Sequence, residues 1–181
     1  MRYFPKLVGE RIYLSPKNLD DAEIFTKWIN DPEVSAYLGL HGSLLSLPAE
    51  HELLERHAKS DDSRYEFCIV EKDGDRLLGS IGLHCIKRNY RSCELELFIG
   101  EAADRSQGYG AEAIRLLLRY AFRTLNMHCV LLHVNSTNAR AIRCYEKCGF
   151  QQCGRQREAI FMNGSYADKI SMDILESEFD A

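Results

Sequence analysis

The sequence has no long apolar run and no excess of basic residues. No stretch approaches the roughly 18 uncharged apolar residues that a membrane-spanning helix requires, and the first six residues lack the apolar segment of a secretory signal peptide. The 23 lysines and arginines stand against 27 aspartates and glutamates, for a formal net charge of −4. Such a chain has no overall positive field to hold nucleic acid or an anionic membrane. We therefore expect a cytoplasmic protein that binds neither, and any anionic ligand must be bound locally.

The sequence also lacks the even cysteine framework of a small secreted domain. Its seven cysteines are odd in number, and 181 residues can bury a core without cross-links, so free thiols in a reducing compartment fit better. Cys144 and Cys148 lie four residues apart, but no accompanying Cys/His pair has the spacing of a zinc site. We therefore predict no metal and interpret these cysteines as small core residues.

Hydrophobic periodicity predicts one mixed α/β (α+β) domain spanning residues 1–181. A short strand is followed by helices between about 19 and 59, and strands follow from 65 to 99. The segment 100–108 is a glycine-containing loop before a long amphipathic helix, 109–124. A strand, a short helix and a hairpin that turns at Asn163-Gly164 complete the chain. The prediction is a central sheet of six or seven strands flanked by about four helices.

The segment 105–111, Arg-Ser-Gln-Gly-Tyr-Gly-Ala, lies between a predicted strand and a predicted helix. The first N–H groups of a helix are unpaired, and its dipole favours an anion there. Gly108 and Gly110 carry no side chain that would keep a phosphate from the backbone. Taken alone, this pattern is more often a simple turn than a pyrophosphate cradle. It also lacks the third glycine of a dinucleotide-binding loop and the Gly-Lys-Ser/Thr ending of a P-loop.

A second motif, 138–150, reads Asn-Ala-Arg-Ala-Ile-Arg-Cys-Tyr-Glu-Lys-Cys-Gly-Phe and follows a predicted strand. Together with the Arg-x-x-Gly-x-Gly loop, it strongly resembles the GNAT superfamily of acetyl-CoA-dependent N-acetyltransferases. The resemblance covers the whole chain. The segments Gly9–Leu14, Trp28–Pro32 and Phe161–Tyr166 resemble the branch of ribosomal-protein N-terminal acetyltransferases and spermidine acetyltransferases.

The resemblance implies a mixed sheet with a splayed parallel pair of strands that admits the pantetheine arm of acetyl-CoA. Tyr145 matches the tyrosine that protonates the departing thiolate. Ser106 stands where many members have glycine. Because coenzyme A is strongly anionic and this chain is acidic, local cations near the two motifs are also needed, such as Arg140. The expected cofactor-binding residues are Leu97, Phe98, Ile99, Arg105, Ser106, Gln107, Gly108, Tyr109, Gly110, Ala111, Asn138 and Arg140.

Two glutamates provide candidates for the base that deprotonates the acceptor amine. Glu94 and Glu96 are two residues apart on a predicted strand, so both point to one face beside the expected reaction centre. An alkyl amine, with a pKa of ~10.4, is neutral in only about one molecule in 10³ at pH 7, whereas a peptide α-amine at ~7.7–8.0 is neutral for about a tenth or more. A base therefore matters most for an alkyl amine. The alternatives are exposed strand carboxylates without a role, or His84 and His133.

The resemblance carried by the two motifs implies an enzyme that moves the acetyl group of acetyl-CoA to a primary amine by direct attack in a ternary complex. The acceptor is a protein N-terminus, a polyamine, or an amino sugar or antibiotic. The alternative is a non-catalytic acyl-CoA-binding regulatory module that kept the cofactor cleft. Tyr145 argues against it, because such a module has no chemical need for the hydroxyl. A homodimer formed through strand pairing is a further expectation.

Overall fold

The computed structural model describes residues 2–40, 42–58 and 63–180. Its centre is an eight-stranded mixed sheet with the strand order β1-β2-β3-β4-β5-β6-β8-β7. The strands are β1 (Leu7–Val8), β2 (Ile12–Pro16), β3 (Tyr65–Glu71), β4 (Leu77–Lys87), β5 (Ser92–Ile99), β6 (Cys129–Asn135), β7 (Gln151–Met162) and β8 (Ser165–Leu175). The helices are α1 (Ala22–Asn30), α2 (Pro32–Ser35), α3 (Leu47–Ala58), α4 (Tyr109–Arg123) and α5 (Ala139–Lys147).

The predicted mixed α/β fold is confirmed, with more elements than expected. Eight strands and five helices are described, against six or seven strands and four helices predicted. The additional strand, β1, is only two residues long and is defined by its antiparallel pairing with β2, which periodicity cannot detect. Lys59, at the end of the predicted helical region, lies outside the described residues. No helix in the described part of the chain is long and apolar enough to cross a membrane.

The parallel pair of strands, β5 and β6, is splayed as expected. The two strands pair only from Ser92↔Cys129 to Glu94↔Leu131, although β5 continues to Ile99 and β6 to Asn135. Beyond Glu94, β5 stays paired with β4, whereas β6 stays paired with β8 along its whole length. A wedge-shaped opening therefore separates the carboxyl-terminal halves of the two strands.

Each face of the sheet is covered by different helices. Helix α4 buries Ile114, Leu117 and Leu118 in one cluster that also contains Cys93 and Leu95 of β5. On the other face, α1 and α3 form a second cluster with β3, against which Phe98 of β5 packs. Since side chains alternate along a strand, Glu94 and Glu96 point to the same face as Phe98. The two glutamates thus lie on the α1/α3 side of the sheet.

Candidate active site

The opening between β5 and β6 is a cleft of about 350 Å³. It brings the two sequence motifs together, because α4 begins at one wall and α5 forms another. His133 of β6 and Glu33, Val34 and Tyr37 from the α2 region complete the walls. The predicted site residues that line the cleft are Leu97, Phe98, Ile99, Arg105, Ser106, Gly108, Gly110, Ala111, Asn138, Arg140 and Tyr145.

The amino-terminal end of α4 is open towards this cleft. Gly108 is the residue before the helix, with φ +90°, and no side chain of the described residues caps it. For a Cβ atom built on Gly110, the nearest described contact is Leu97 Cδ1 at 3.7 Å, so space remains beside the helix terminus. Ser106 has φ +64°, in the left-handed region that favours glycine. This geometry explains why the family resemblance places a glycine there.

Arg11, which the sequence reasoning missed, holds this loop from behind. Its Nη1 donates to the carbonyl oxygen of Gln107 at 2.9 Å, and its guanidinium lies 4.8 Å from the ring centroid of Tyr109. The Tyr109 hydroxyl donates to Glu71 at 2.6 Å, and this hydrogen bond raises the pKa of Tyr109. Gln107 and Tyr109, both predicted to bind the cofactor, are therefore outside the described lining of the cleft and engaged on the opposite side of the loop.

The Arg105 guanidinium binds other residues of the protein. Its Nη2 donates to the Gly100 carbonyl at 2.6 Å, its Nε donates to the Ile99 carbonyl at 3.3 Å, and its Nη1 pairs with Glu33 at 3.0 Å. The guanidinium thus secures the turn after β5. Other cationic side chains also line the cleft, namely Arg140, Arg143 and Lys147.

Two residues of α5 have well-defined local roles. The Asn138 side chain accepts a hydrogen bond from the Ala141 N–H at 3.1 Å, so it caps the helix. Tyr145 is 8% exposed and packs edge-to-face against Phe150. Burial raises the pKa of Tyr145 well above its usual value, and the nearby charges of Cys144 and Glu96 add to the effect. The phenol therefore keeps its proton at neutral pH, as a proton donor requires.

The two predicted base candidates, Glu94 and Glu96, lie beside histidines and are not among the described residues that line the cleft. The Oε2 atom of Glu94 is 3.8 Å from Nε2 of His133, which does line the cleft. The Oε2 atom of Glu96 is 3.8 Å from Nε2 of His84. The structure thus places both glutamates on one face, as predicted, and adds a histidine between Glu94 and the cleft.

A third carboxylate on this face was not anticipated. Glu66 of β3 is the register partner of Gly82 of β4, and Gly82 is the partner of Glu96. A Cβ atom on Gly82 would lie 2.7 Å from the Glu66 carboxyl, so the missing side chain makes room for that group. Burial raises the pKa of Glu66. A sequence shows neither this register nor the burial, so no local signal could have revealed the pair.

Helix α3 contributes another carboxylate whose pKa is raised by burial. Glu50 is 3% exposed, and its Oε2 atom has no hydrogen-bond partner among the described residues. Burial raises the pKa of Glu50, against the opposing charge of Lys17. The Lys17 ammonium in turn donates to Ser80 Oγ at 2.6 Å.

The chain is similar to known acetyltransferases in sequence. The sequence model of a family described as "Acetyltransferase (GNAT) domain" matches residues 11–151. Spermidine N(1)-acetyltransferase of Vibrio cholerae is 34% identical over 128 residues, which cover 71% of this chain and 72% of that protein. The spermidine N(1)-acetyltransferase of Escherichia coli K12 is 28% identical over 160 residues, which cover 88% of this chain and 78% of that protein.

A solved structure extends the similarity to the fold. The crystal structure of the spermidine N-acetyltransferase from Vibrio cholerae in complex with CoA and spermine superposes with a TM-score of 0.85 at 28% identity. The match covers 94% of this chain and 98% of that one.

Proposed function

We propose that this chain, which belongs to the GNAT family of acetyltransferases, acetylates a primary amine of a polyamine such as spermidine by direct attack in a ternary complex. The predicted family, fold and N-acetyltransferase activity are confirmed, as is acetyl-CoA as the acetyl donor. The acceptor and the roles of individual residues are the proposal. The observation that carries it is the set of three carboxylates, Glu66, Glu94 and Glu96, on one face of the sheet, with Glu96 near enough for its charge to raise the pKa of Tyr145.

The cleft suits the acetyl donor. The pyrophosphate accepts hydrogen bonds from the first N–H groups of α4, where no described side chain competes and the helix dipole is favourable. Arg140, Arg143 and Lys147 add positive charge in an otherwise acidic protein. The edge of β5 from Leu97 to Ile99 faces the opening and supplies backbone groups for the pantetheine arm.

The carboxylates suit a cationic acceptor. Neighbouring strands lie about 4.8 Å apart, so Glu66 and Glu96, on either side of Gly82, both reach a single ammonium group above that glycine. Two close carboxylates repel each other, and burial already disfavours ionised Glu66. A bound ammonium relieves both costs. The Glu50 oxygen that lacks a hydrogen-bond partner among the described residues is available to a second ammonium group, which a polyamine has and a monoamine lacks.

The proton transfers use groups already in place around the cleft. Glu94 accepts the proton of the acceptor ammonium, directly or through His133, which lies between Glu94 and the cleft. The neutral nitrogen then attacks the thioester carbonyl and the carbon–sulfur bond breaks. Tyr145 donates its proton to the departing sulfur, because its raised pKa keeps it protonated until the thiolate forms. The nitrogen releases its second proton to solvent as the amide forms, and solvent returns a proton to Tyr145 after turnover. A homodimer formed through strand pairing remains a prediction.

The test is thiol release from acetyl-CoA against a panel of acceptors: spermidine, a monoamine of similar length, a peptide with a free N-terminus and an amino sugar. We expect the highest kcat/KM for spermidine and a KM for it that rises with salt, since ion pairs are screened. A higher kcat/KM for the peptide or the sugar would overturn the polyamine assignment. No turnover with any amine, together with normal acetyl-CoA binding, would favour the regulatory module.

A further inference from the structure

Three different metal-ligating side chains meet at the end of the β4–β5 pair: the His84 imidazole, the Cys85 thiol and the Glu94 carboxylate. One potential ligand atom from each lies within 4.8 Å of the other two. The Nδ1 atom of His84 is 3.3 Å from the Cys85 sulfur. The Cys85 thiol also forms a hydrogen bond with Glu94. Burial is the largest cause that raises the pKa of Cys85, and the charge of Glu94 adds to it.

The backbone explains why His84 and Cys85 face each other although they are adjacent. In a regular strand, their side chains would point to opposite faces of the sheet. Here the register with β5 shifts between His84 and Lys87, and Cys85 has φ +50°. Such a bulge redirects a side chain. A left-handed conformation is also disfavoured for a residue with a Cβ atom, so the surrounding structure must hold it.

We propose that His84, Cys85 and Glu94 bind a divalent ion of the zinc class, and that this ion inhibits acetyl transfer by occupying Glu94. Zinc accepts thiolate, imidazole and carboxylate ligands at about 2.0–2.3 Å, which puts the ligand atoms of a tetrahedral site about 3.3–3.6 Å apart. The 3.3 Å separation of the His84 nitrogen and the Cys85 sulfur fits this range. Because Cys85 is exposed, an ion reaches the site from solvent.

The surroundings of the three ligands support the assignment. A histidine that binds a metal through one ring nitrogen usually donates the other N–H to a carboxylate. Nε2 of His84, on the side of the ring away from Cys85, is 3.8 Å from the Glu96 carboxylate. This distance is too long for a direct hydrogen bond, but the negative charge of Glu96 favours a proton on Nε2 and so leaves Nδ1 to bind the ion. Spacing along the chain predicted no metal site, because one of the three ligands comes from the neighbouring strand.

Ion binding has a defined chemical consequence. The Cys85 thiol releases its proton, a sulfur–metal bond replaces the S–H bond, and affinity therefore increases with pH. A carboxylate bound to the ion no longer accepts the proton of the acceptor ammonium. The inhibitory part of the inference rests on the proposed function of Glu94, whereas the binding part does not.

Cobalt(II) titration of the purified protein tests the binding part, because thiolate ligation produces a near-ultraviolet charge-transfer band. We expect one equivalent to produce the band in the wild type. Cys85→Ser should abolish it and weaken cobalt binding by at least about tenfold, the scale of losing even a supporting residue of a metal site. Cys153→Ser, at another exposed cysteine, is the matched control and should keep the band. No band, or an equal band in Cys85→Ser, would overturn the site.

Acetylation assays with added zinc test the inhibitory part. Zinc should inhibit the wild type and Cys153→Ser, and a chelator should restore both rates. Cys85→Ser should keep its basal rate and resist the same zinc concentration. An unchanged wild-type rate at zinc concentrations that displace cobalt would overturn the inhibition. If no amine is acetylated at all, the proposed function fails, and the cobalt spectra still decide the site independently.

Discussion

Arg11 donates a hydrogen bond to the carbonyl oxygen of Gln107 over 2.9 Å, although 96 positions separate the two residues. The residue immediately before β2 thereby holds the loop that leads into α4. Gly108 lies at the same contact, since a Cβ atom built on it would be 2.9 Å from Nη2 of Arg11. The loop is held from the side opposite the cleft, and no described side chain caps the start of α4.

Arg11→Gln should weaken acetyl-CoA binding without changing the chemistry. The hydrogen bond is charged but lies at the exposed surface, so its loss falls at the low end for a charged hydrogen bond, about 1.5 kcal/mol, or roughly tenfold in affinity. We expect this increase in the KM for acetyl-CoA with kcat nearly unchanged, measured by steady-state kinetics. Arg119→Gln, at an exposed arginine on α4, should leave both constants as they are. Equal effects in the two variants would show that overall charge, not loop position, matters.

Tyr145→Phe should separate turnover from binding. The substitution keeps the ring that packs on Phe150 and removes the hydroxyl, so Tm and acetyl-CoA affinity should stay constant. Turnover should fall by ~10²–10⁴ if the full effect of general acid catalysis applies. Because burial raises the pKa of Tyr145, its deprotonation should not produce an alkaline decline in the wild-type rate below pH about 10. A variant with full turnover would make Tyr145 a structural residue.

Glu66→Gln should stabilise the protein while impairing acceptor binding. A carboxyl whose pKa is raised by folding destabilises the fold as pH rises from its unfolded value, about 4.3, through the raised value. We therefore expect a Tm higher by a few degrees at neutral pH and no difference below pH ~4, from thermal scans.

The same variant should raise the KM for spermidine roughly tenfold to a hundredfold, as expected for loss of a charged hydrogen bond. Glu55→Gln, at an exposed position of α3, is the matched control and should change neither Tm nor KM. A higher Tm with an unchanged KM would remove Glu66 from the acceptor site.

Glu94→Gln should lower kcat/KM steeply near neutral pH if the acceptor is an alkyl amine. Raising the pH should recover much of the loss, since solvent then supplies the neutral amine. A pH–rate profile of Glu94→Gln beside Glu96→Gln measures this and identifies the working carboxylate. Losses below threefold at every pH in both variants would leave His84, His133 or a water chain as the proton acceptor.

Sequence reasoning succeeded for local features of the site. The glycine-containing loop before α4 and the position of Tyr145 on a short helix follow from rules that act within a few residues. It did not provide the side-chain partners in the loop, where the Arg105 guanidinium bonds to backbone carbonyls and the Tyr109 hydroxyl to Glu71. Those partners are supplied by other elements, which local rules do not include.

The sequence by itself determined the mixed α/β fold and the two motifs, because helix termini, glycines and periodicity are properties of short segments. The family and the acetyl donor followed from the family resemblance that those motifs carry. Only the tertiary structure decided that Glu66 lies across Gly82 from Glu96, and that Cys85 turns to His84 and Glu94. Strand register and bulges set these neighbours, and both result from packing between distant segments. A one-residue slip would move every side chain of a strand to the other face, so no local pattern specifies such contacts.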